Sequence, residues 1–276
     1  MRVLRPLLAL FLACGLLGAA ADFATAQRGP YGSDRYGGGA KSRNVAGEFD
    51  YYALVLSWSP THCASLETNE YDPQCHRRDG RRYNFVLHGL WPQYTRGYPE
   101  YCPIGRRPFV PQTIVDGMQD IMPSARLTIH EYKKHGTCSG PDPAGYYELS
   151  RRLFKSITIP HRYINPFEAQ FVTPDDLVDE ILAENPKLKP DMLAVVCGGP
   201  GNRLREVRFC FSKTGEPTSC GDNENGKRLC AARQMFVPPV RSTAAGPESG
   251  TGSKPLPKEA PSPLPGPRVI PSPRSL

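Results

Sequence analysis

Short apolar runs predict strands at the beginning and the end of a central body, with helices between them. Tyr51–Trp58 and Tyr83–Leu87 are rich in aromatic and branched residues, which is typical of strands, and Ser59-Pro60 is expected to end the first strand. Four helices are predicted near 112–120, 125–136, 144–156 and 174–185, and two later strands near 192–197 and 204–212. Helices clustered between early and late strands indicate an α+β fold with a mostly antiparallel central sheet.

The segments outside this body differ from it in composition. Residues 1–26 combine a basic start, an apolar run and a small-residue cleavage site, which predicts a signal peptide. A lipoprotein cut before Cys14 is the less favoured alternative, because the apolar run continues past that cysteine. Residues 27–46 are Gly-rich and predict a flexible leader. Residues 238–276 hold eleven of the thirty prolines and no aromatic residue, so a disordered tail is predicted after a folded domain at residues 47–237.

A signal peptide places the mature protein in the periplasm or outside the cell. The apolar run is too short for a stable membrane span, and no later stretch is apolar enough, so no membrane span is expected. Removing Cys14 with the signal peptide leaves eight of nine cysteines, an even number that predicts four disulfides in an oxidising compartment. The sequence contains no C-x2-C pair, so the cysteines lack the spacing that would favour a zinc site. The eight are Cys63, Cys75, Cys102, Cys138, Cys197, Cys210, Cys220 and Cys230.

Two stretches carry the residues with catalytic chemistry. In FVLHGLWP, His88 falls where the predicted strand ends, and Gly89 indicates a close turn or backbone approach. HEYKKHGTC, from His130 to Cys138, is predicted to form the last turns of a helix that Gly136 ends. On an α-helix, residues four apart share a face. Two such pairs would line one wall of a cleft: Glu131 with His135, and His130 with Lys134.

Two imidazoles, an ammonium and a carboxylate suit metal-free cleavage of RNA, which carries its own nucleophile in the 2′-hydroxyl. One group must take the 2′-OH proton and another must protonate the leaving 5′-oxygen, and an unperturbed histidine pKa of about 6.5 allows either role. Lys134 would stabilise the negative charge that grows on the phosphorane-like transition state. Glu131 would orient or polarise the phosphate, or hold His135 in place.

At these residues the sequence resembles the T2 ribonucleases, the group that includes the plant self-incompatibility S-RNases. FVLHGLWPQ and HEYKKHGTCSG are similar to the two active-site signatures of that family, and the resemblance covers roughly Phe49 to Val237. It implies an exported endoribonuclease, without metal or cofactor, that cleaves single-stranded RNA through a 2′,3′-cyclic phosphate to leave 3′-phosphate ends. It implies the family fold as well, and a monomer is the default expectation.

The resemblance also assigns roles to single residues. His135 would be the base and His88 the general acid. The resemblance further implies a phosphate-binding role for His130, transition-state stabilisation by Glu131 and Lys134, and a base-binding face at Trp91. Two disulfides are favoured by the resemblance, Cys102–Cys138 and Cys197–Cys230, which leaves Cys63–Cys75 and Cys210–Cys220 as local loops.

Recognition of the RNA base is less determined. Many family members have an aspartate where this chain has Gln93, which leaves base preference open. Tyr98 and Tyr101 are candidates for stacking on single-stranded bases, although core or surface packing is an equal alternative for each. Trp91 could also be part of the core. The basic run from Arg77 to Arg82 is either a phosphate-tracking patch or a solvated loop.

Two other classes of function remain as alternatives. One is a catalytically silent RNA-binding module, which the presence of the full set of acid–base residues disfavours. The other is a zinc hydrolase, because H-E-x-x-H is a zinc motif. Here His130 and His135 are five residues apart, which places them about 140° apart around a regular α-helix and disfavours a shared metal.

Overall fold

The computed structural model describes residues 44–67 and 71–241 of the 276-residue chain. The predicted signal peptide, leader residues 27–43 and tail residues 242–276 lie outside the described residues. No helix within the described part is long and apolar enough to cross a membrane.

Within the described residues, six strands form one sheet, and four of its five strand pairings are antiparallel. The order is β2-β1-β5-β6-β3, and β4 also pairs with β5. The single parallel contact joins β5 to β6. The strands are β1 Tyr51–Trp58, β2 Phe85–Gln93, β3 Gln170–Val172, β4 Leu193–Gly198, β5 Arg203–Phe211 and β6 Met235–Val237. The predicted α+β fold with a mostly antiparallel sheet is confirmed.

Helices connect the early and late strands, as the sequence predicts. They are α1 Ser59–Ala64, α2 Gln112–Met118, α3 Ala125–Glu131, a π-helical turn Tyr132–Gly136, α4 Thr137–Ser139, α5 Pro143–Ser156, α6 Pro174–Glu184 and α7 Gly226–Leu229. Three short 3-10 turns lie at His161–Tyr163, Pro190–Met192 and Asp222–Glu224. Local sequence explains where the two longest helices begin. The Asp142 carboxylate accepts a hydrogen bond from Gly145 N at the start of α5, and Thr173 with Asp176 forms a capping box at the start of α6.

Strand β1 lies at the centre of the core. Its side chains point alternately to the two faces of the sheet, yet neighbouring residues such as Leu54 and Val55 are equally buried. Both faces are therefore covered, which is why this strand reads as a continuous apolar run. Trp58 at its end is fully buried and donates a hydrogen bond from Nε1 to the carbonyl oxygen of Pro238.

Strand β2 is longer than predicted, and His88 lies inside it rather than at its end. In the pairing with β1, Val55 faces Gly89 and Leu56 faces Leu87, so His88 is the extra residue of a β-bulge. A bulge bends the strand and redirects the side chain of the extra residue. Pro92 is tolerated near the end of β2 because β2 is an edge strand of the sheet.

The prediction that Gly136 ends the third helix was wrong. The helix widens into the π-turn Tyr132–Gly136 and continues to Ser139, and it ends at Gly140, whose φ is +97°. Gly136 has another reason to be small. A Cβ atom at that position would lie 2.3 Å from Cδ2 of Tyr132, so glycine allows the tyrosine ring to pack against the turn.

Several short elements of the described residues were not predicted, among them helix α1 at Ser59–Ala64, helix α7 at Gly226–Leu229 and strands β3 and β6. Strands β3 and β6 contain three residues each and pair with one another across more than sixty residues of sequence. Elements this short depend on a distant partner, which a local pattern does not reveal.

Four disulfides join the eight cysteines of the described residues, and they include the two that the family resemblance favoured, Cys102–Cys138 and Cys197–Cys230. They are Cys63–Cys75, Cys102–Cys138, Cys197–Cys230 and Cys210–Cys220. The Cys102–Cys138 bridge ties the end of the π-turn helix to the loop after β2. The backbone N–H of Tyr101 reinforces this junction by donating to the carbonyl oxygen of Lys134 at 2.8 Å.

Replacing Cys102 and Cys138 together by alanine is expected to lower the free energy of unfolding by about 2–5 kcal/mol, because a bridge limits the entropy of the unfolded chain. Urea unfolding of the oxidised proteins measures this loss. The matched control replaces Cys63 and Cys75 by alanine. The Cys63–Cys75 disulfide closes a loop of 12 residues, whereas Cys102–Cys138 closes a loop of 36. The longer loop predicts the larger loss, and equal losses would contradict this account.

Candidate active site

The bulge in β2 carries His88 into contact with two carboxylates. Its Nδ1 lies 3.0 Å from Oε1 of Glu206 on β5, and its Nε2 lies 3.8 Å from Oε1 of Glu131 on α3. The His88 side chain is 15% exposed, so one part of the ring remains open to solvent. Burial alone would lower the pKa of His88, but the hydrogen bond and charge of Glu206 outweigh it and raise the pKa.

Glu131 is buried beneath this strand. Nε1 of Trp91 donates a hydrogen bond to its Oε2 at 2.7 Å. Burial raises the pKa of Glu131, and the charge of His88 and the bond from Trp91 only partly oppose that effect. Gly89 makes the arrangement possible, because a Cβ atom there would lie 2.1 Å from the same Oε2 atom. The close backbone approach predicted at Gly89 is therefore present.

Trp91 joins the two histidines. The ring of His135 stacks on it, with centroids 5.0 Å apart and planes inclined at 24°, while His88 meets it edge-on at 5.1 Å. His135 is buried, and burial followed by the charge of Lys134 lowers its pKa well below the usual value. Among the described residues its Nδ1 has no hydrogen-bond partner. The two imidazoles thus share one wall but have opposite pKa shifts.

His130 and Lys134 lie at the outer side of this cluster. His130 is exposed, and partial desolvation together with the Lys134 charge lowers its pKa. The Lys134 ammonium lies 3.7 Å from Oε2 of Glu100. The 140° separation expected for His130 and His135 assumed a regular α-helix, so it does not apply across the π-turn.

Two residues of the cluster were missed by the sequence reading. Glu206 contacts His88, and the guanidinium of Arg208 lies 5.0 Å from the centre of the Trp91 ring. Burial would raise the pKa of Glu206, but His88 and Arg208 lower it to about 2. The available signal was the pair of opposite charges at Glu206 and Arg208, which share one face of β5 with Leu204 and Cys210.

The predicted base-binding residues are placed differently from one another. Gln93 is buried, and its Oε1 accepts a hydrogen bond from Nδ2 of Asn223 at 2.9 Å, so the structure does not bring it into the cluster. Tyr98 is 44% exposed, and its ring centre lies 6.4 Å from that of His135. Tyr101 is 56% exposed and has a positive φ of 51°.

Within the described residues, one group of side chains has the proximity of metal ligands, and it lies outside this cluster. It consists of His62, Asp72 and Cys75. The Cys75 sulfur is bonded to Cys63, so it is not a thiolate, and His62 forms an ion pair with Asp72 at 3.0 Å. This group therefore lacks the third ligand that a metal site would need. Metal-free chemistry at His88 and His135 stays a prediction.

Comparison with known proteins places the chain among ribonucleases. The model of the Ribonuclease T2 family matches residues 49–220. A protein from Aeromonas hydrophila named "Ribonuclease" is 34% identical over 73% of this chain and 91% of its own length. A "Probable ribonuclease" from Haemophilus influenzae is 27% identical, and the match spans 64% of this chain and 63% of that relative.

Solved structures share the fold. RNase NT, solved in complex with 5′-AMP, has a TM-score of 0.55 at 22% identity, covering 70% of this chain and 99% of its own. Trichomaglin, described as an S-like ribonuclease, has a TM-score of 0.55 at 23% identity with the same coverage. The family match and the related sequences define an endoribonuclease, and its fold is α+β with four disulfides among the described residues. The chain belongs to the ribonuclease T2 family.

Proposed function

We propose that this protein is an exported endoribonuclease that cleaves single-stranded RNA by acid–base chemistry of His135 and His88, without a metal ion. The observation that carries the proposal is the placement of two imidazoles on one tryptophan with opposite pKa shifts. A general base and a general acid must begin the reaction in different protonation states. The two environments supply that difference.

His135 is the base in the first step. Because burial and Lys134 lower its pKa, it is neutral at neutral pH and can accept the proton of the 2′-hydroxyl. The 2′-oxygen then forms a bond to phosphorus. The His135 ring is buried against Trp91, and this fixes the direction in which the imidazole presents a nitrogen.

His88 is the acid in the same step. Glu206 favours its charged form, so His88 keeps a proton to a higher pH than an ordinary histidine does. It gives that proton to the 5′-oxygen as the bond from phosphorus to this oxygen breaks. The products are a 2′,3′-cyclic phosphate and a 5′-hydroxyl. Water opens the cyclic phosphate to a 3′-phosphate when the two histidines exchange roles.

Charge on the phosphorane is stabilised from the π-turn side of the cleft. Lys134 brings an ammonium there, and the exposed His130 binds the phosphate from the same side. The raised pKa of Glu131 favours its protonated form, which can donate a hydrogen bond to a phosphate oxygen. Trp91 acts as a wall that aligns the histidines, and Tyr98 is the better placed of the two tyrosines to stack on a base.

Export is the second part of the proposal. It is supported by the signal-peptide pattern of residues 1–26 and by four disulfides, which persist in oxidising compartments. Sequencing the amino terminus of protein recovered from the periplasm or the culture medium tests it. A terminus at Gln27 is expected.

Purified protein treated with EDTA is expected to cleave single-stranded RNA at an unchanged rate, because both proton transfers use side chains. Mass analysis of early products should find 2′,3′-cyclic phosphate ends that convert to 3′-phosphates. DNA of the same sequence should remain uncut, because it lacks the 2′-hydroxyl. Full loss of activity with EDTA, restored by a metal ion, would refute the mechanism. A folded protein that cleaves no RNA at any pH would instead favour a silent RNA-binding module.

A further inference from the structure

Two charged residues on β5 lie directly behind the candidate catalytic groups. Glu206 and Arg208 are two apart, so they share a face of the strand. One carboxylate oxygen of Glu206 faces Nδ1 of His88 at 3.0 Å. The other accepts hydrogen bonds from Nε and Nη2 of Arg208 at 3.1 and 3.0 Å. We call these two residues the β5 pair.

Arg208 is fixed by a second carboxylate as well. Its Nη1 lies 3.6 Å from Oε1 of Glu224, and the Tyr51 hydroxyl donates a hydrogen bond to the other oxygen of that glutamate. Held between Glu206 and Glu224, the guanidinium lies over the Trp91 ring. A cation in this position must both stack on an aromatic ring and bind carboxylates. The planar guanidinium of arginine can do both, and the ammonium of lysine cannot.

We propose that the β5 pair positions both catalytic histidines, Glu206 by holding Nδ1 of His88 and Arg208 by holding Trp91, on which His135 stacks. This inference rests on the proposed function, since it concerns residues that act through His88 and His135. Neither member touches the reacting atoms in this scheme. Both are positioning residues.

The contact of Glu206 has a defined chemical consequence. When Nδ1 donates its proton to a carboxylate, the other nitrogen, Nε2, is left for proton exchange with the substrate. The carboxylate also stabilises the imidazolium form. His88 could not serve equally well as an acid if its ring rotated or if the charge of Glu206 were absent.

Other charged groups also face His88, and they differ in sign. From β5 it meets Glu206 and Arg208, and from α3 it meets Glu131. His130 and His135, from α3 and the π-turn, also interact electrostatically with it. Glu206 is the carboxylate in hydrogen-bond contact, at 3.0 Å against 3.8 Å for Glu131. Neutralising Glu206 should therefore change the titration of His88 more than neutralising any other single group.

The test compares Glu206→Gln with Glu180→Gln. Glu180 lies on α6, outside the candidate site, and forms an ion pair with Arg162 at 2.6 Å, so the control removes the same charge from a comparable pair. Removing the carboxylate at 206 should lower kcat on single-stranded RNA by roughly tenfold or more. This loss is a part of the rate enhancement that a general acid contributes. KM should stay near the wild-type value, because Glu206 acts through His88 and does not itself bind the substrate.

The pH profile separates positioning from a structural role. Glu206 favours the charged form of His88, so Glu206→Gln should move the high-pH limb of the kcat profile to lower pH. Glu180→Gln should leave it unchanged. A Glu206→Gln variant that matches Glu180→Gln in both kcat and the high-pH limb would overturn the inference.

Two further measurements keep the test decisive. If Glu206→Gln does not fold, Glu206→Asp replaces it. The shorter carboxylate keeps the charge but loses the contact, and wild-type kcat in that variant would refute positioning.

NMR titration of the His88 C2 proton gives a readout that does not depend on activity. A lower midpoint in Glu206→Gln is expected even if the wild type cleaves no RNA, so failure of the proposed function would be seen separately.

Discussion

His88→Ala and His135→Ala are each expected to lower kcat on single-stranded RNA by about 10²- to 10⁴-fold, because each removes one of the two proton transfers. The double variant should be little slower than the slower single variant, since groups that act as a unit are not additive. Single-turnover cleavage of a short RNA with product analysis measures the losses. Cyclic phosphate ends should disappear along with the activity.

A histidine outside the cluster provides the control for these variants. His161 is exposed at the start of a 3-10 turn, and His161→Ala should retain full activity. Circular dichroism and urea unfolding must match the wild type for all three single variants. If either His88→Ala or His135→Ala kept activity within about tenfold of the wild type, the two-histidine mechanism would be wrong.

Gly89→Ala should lower kcat by about 100-fold, the loss that misplacement of a catalytic group by about 1 Å can cause. The added Cβ would lie 2.1 Å from Oε2 of Glu131 and 2.5 Å from Nε1 of Trp91, so the hydrogen bond between these two groups must shift. Overpacking a buried site of this kind also costs about 1–3 kcal/mol of stability. Kinetics and urea unfolding of the same preparation measure both effects.

Gly117→Ala is the matched control for that substitution. Gly117 lies in α2, and a Cβ atom there would meet nothing within 4 Å. Alanine in a helix should raise stability by about 0.5–1 kcal/mol and leave kcat unchanged. If Gly89→Ala behaved as Gly117→Ala does, the close approach of β2 to Glu131 would have no part in the reaction.

Trp91 explains why the cluster tolerates so little displacement. Its ring stacks on His135 and meets His88 edge-on, its indole nitrogen bonds Glu131, and Arg208 lies over it. A movement of this one ring would therefore disturb His88, His135 and Glu131 together. Base binding and plain core were the two roles predicted for Trp91, and its contacts with both histidines and Glu131 favour a place in the wall of the site over plain core.

Most of the fold was readable from local pattern. Strands β1, β4 and β5 and helices α2, α3, α5 and α6 lie close to their predicted positions, because each has a long apolar face or run. The helix end at Gly136 was misread, since the glycine there allows Tyr132 to pack rather than ending the helix. The bulge at His88 was also missed, because it arises from the pairing with β1 and leaves no local pattern.

The sequence by itself determined the chemical inventory of this protein: two signatures with their histidines, carboxylate and lysine, and eight cysteines outside the predicted signal peptide. Side-chain chemistry and order along the chain are local properties, so they can be read directly. Only the tertiary structure decided how Glu206 and Arg208 enter the cluster, because β5 meets β2 through β1 after more than a hundred residues of intervening chain. Burial and these distant charges then give His88 and His135 opposite pKa shifts, which no local pattern encodes.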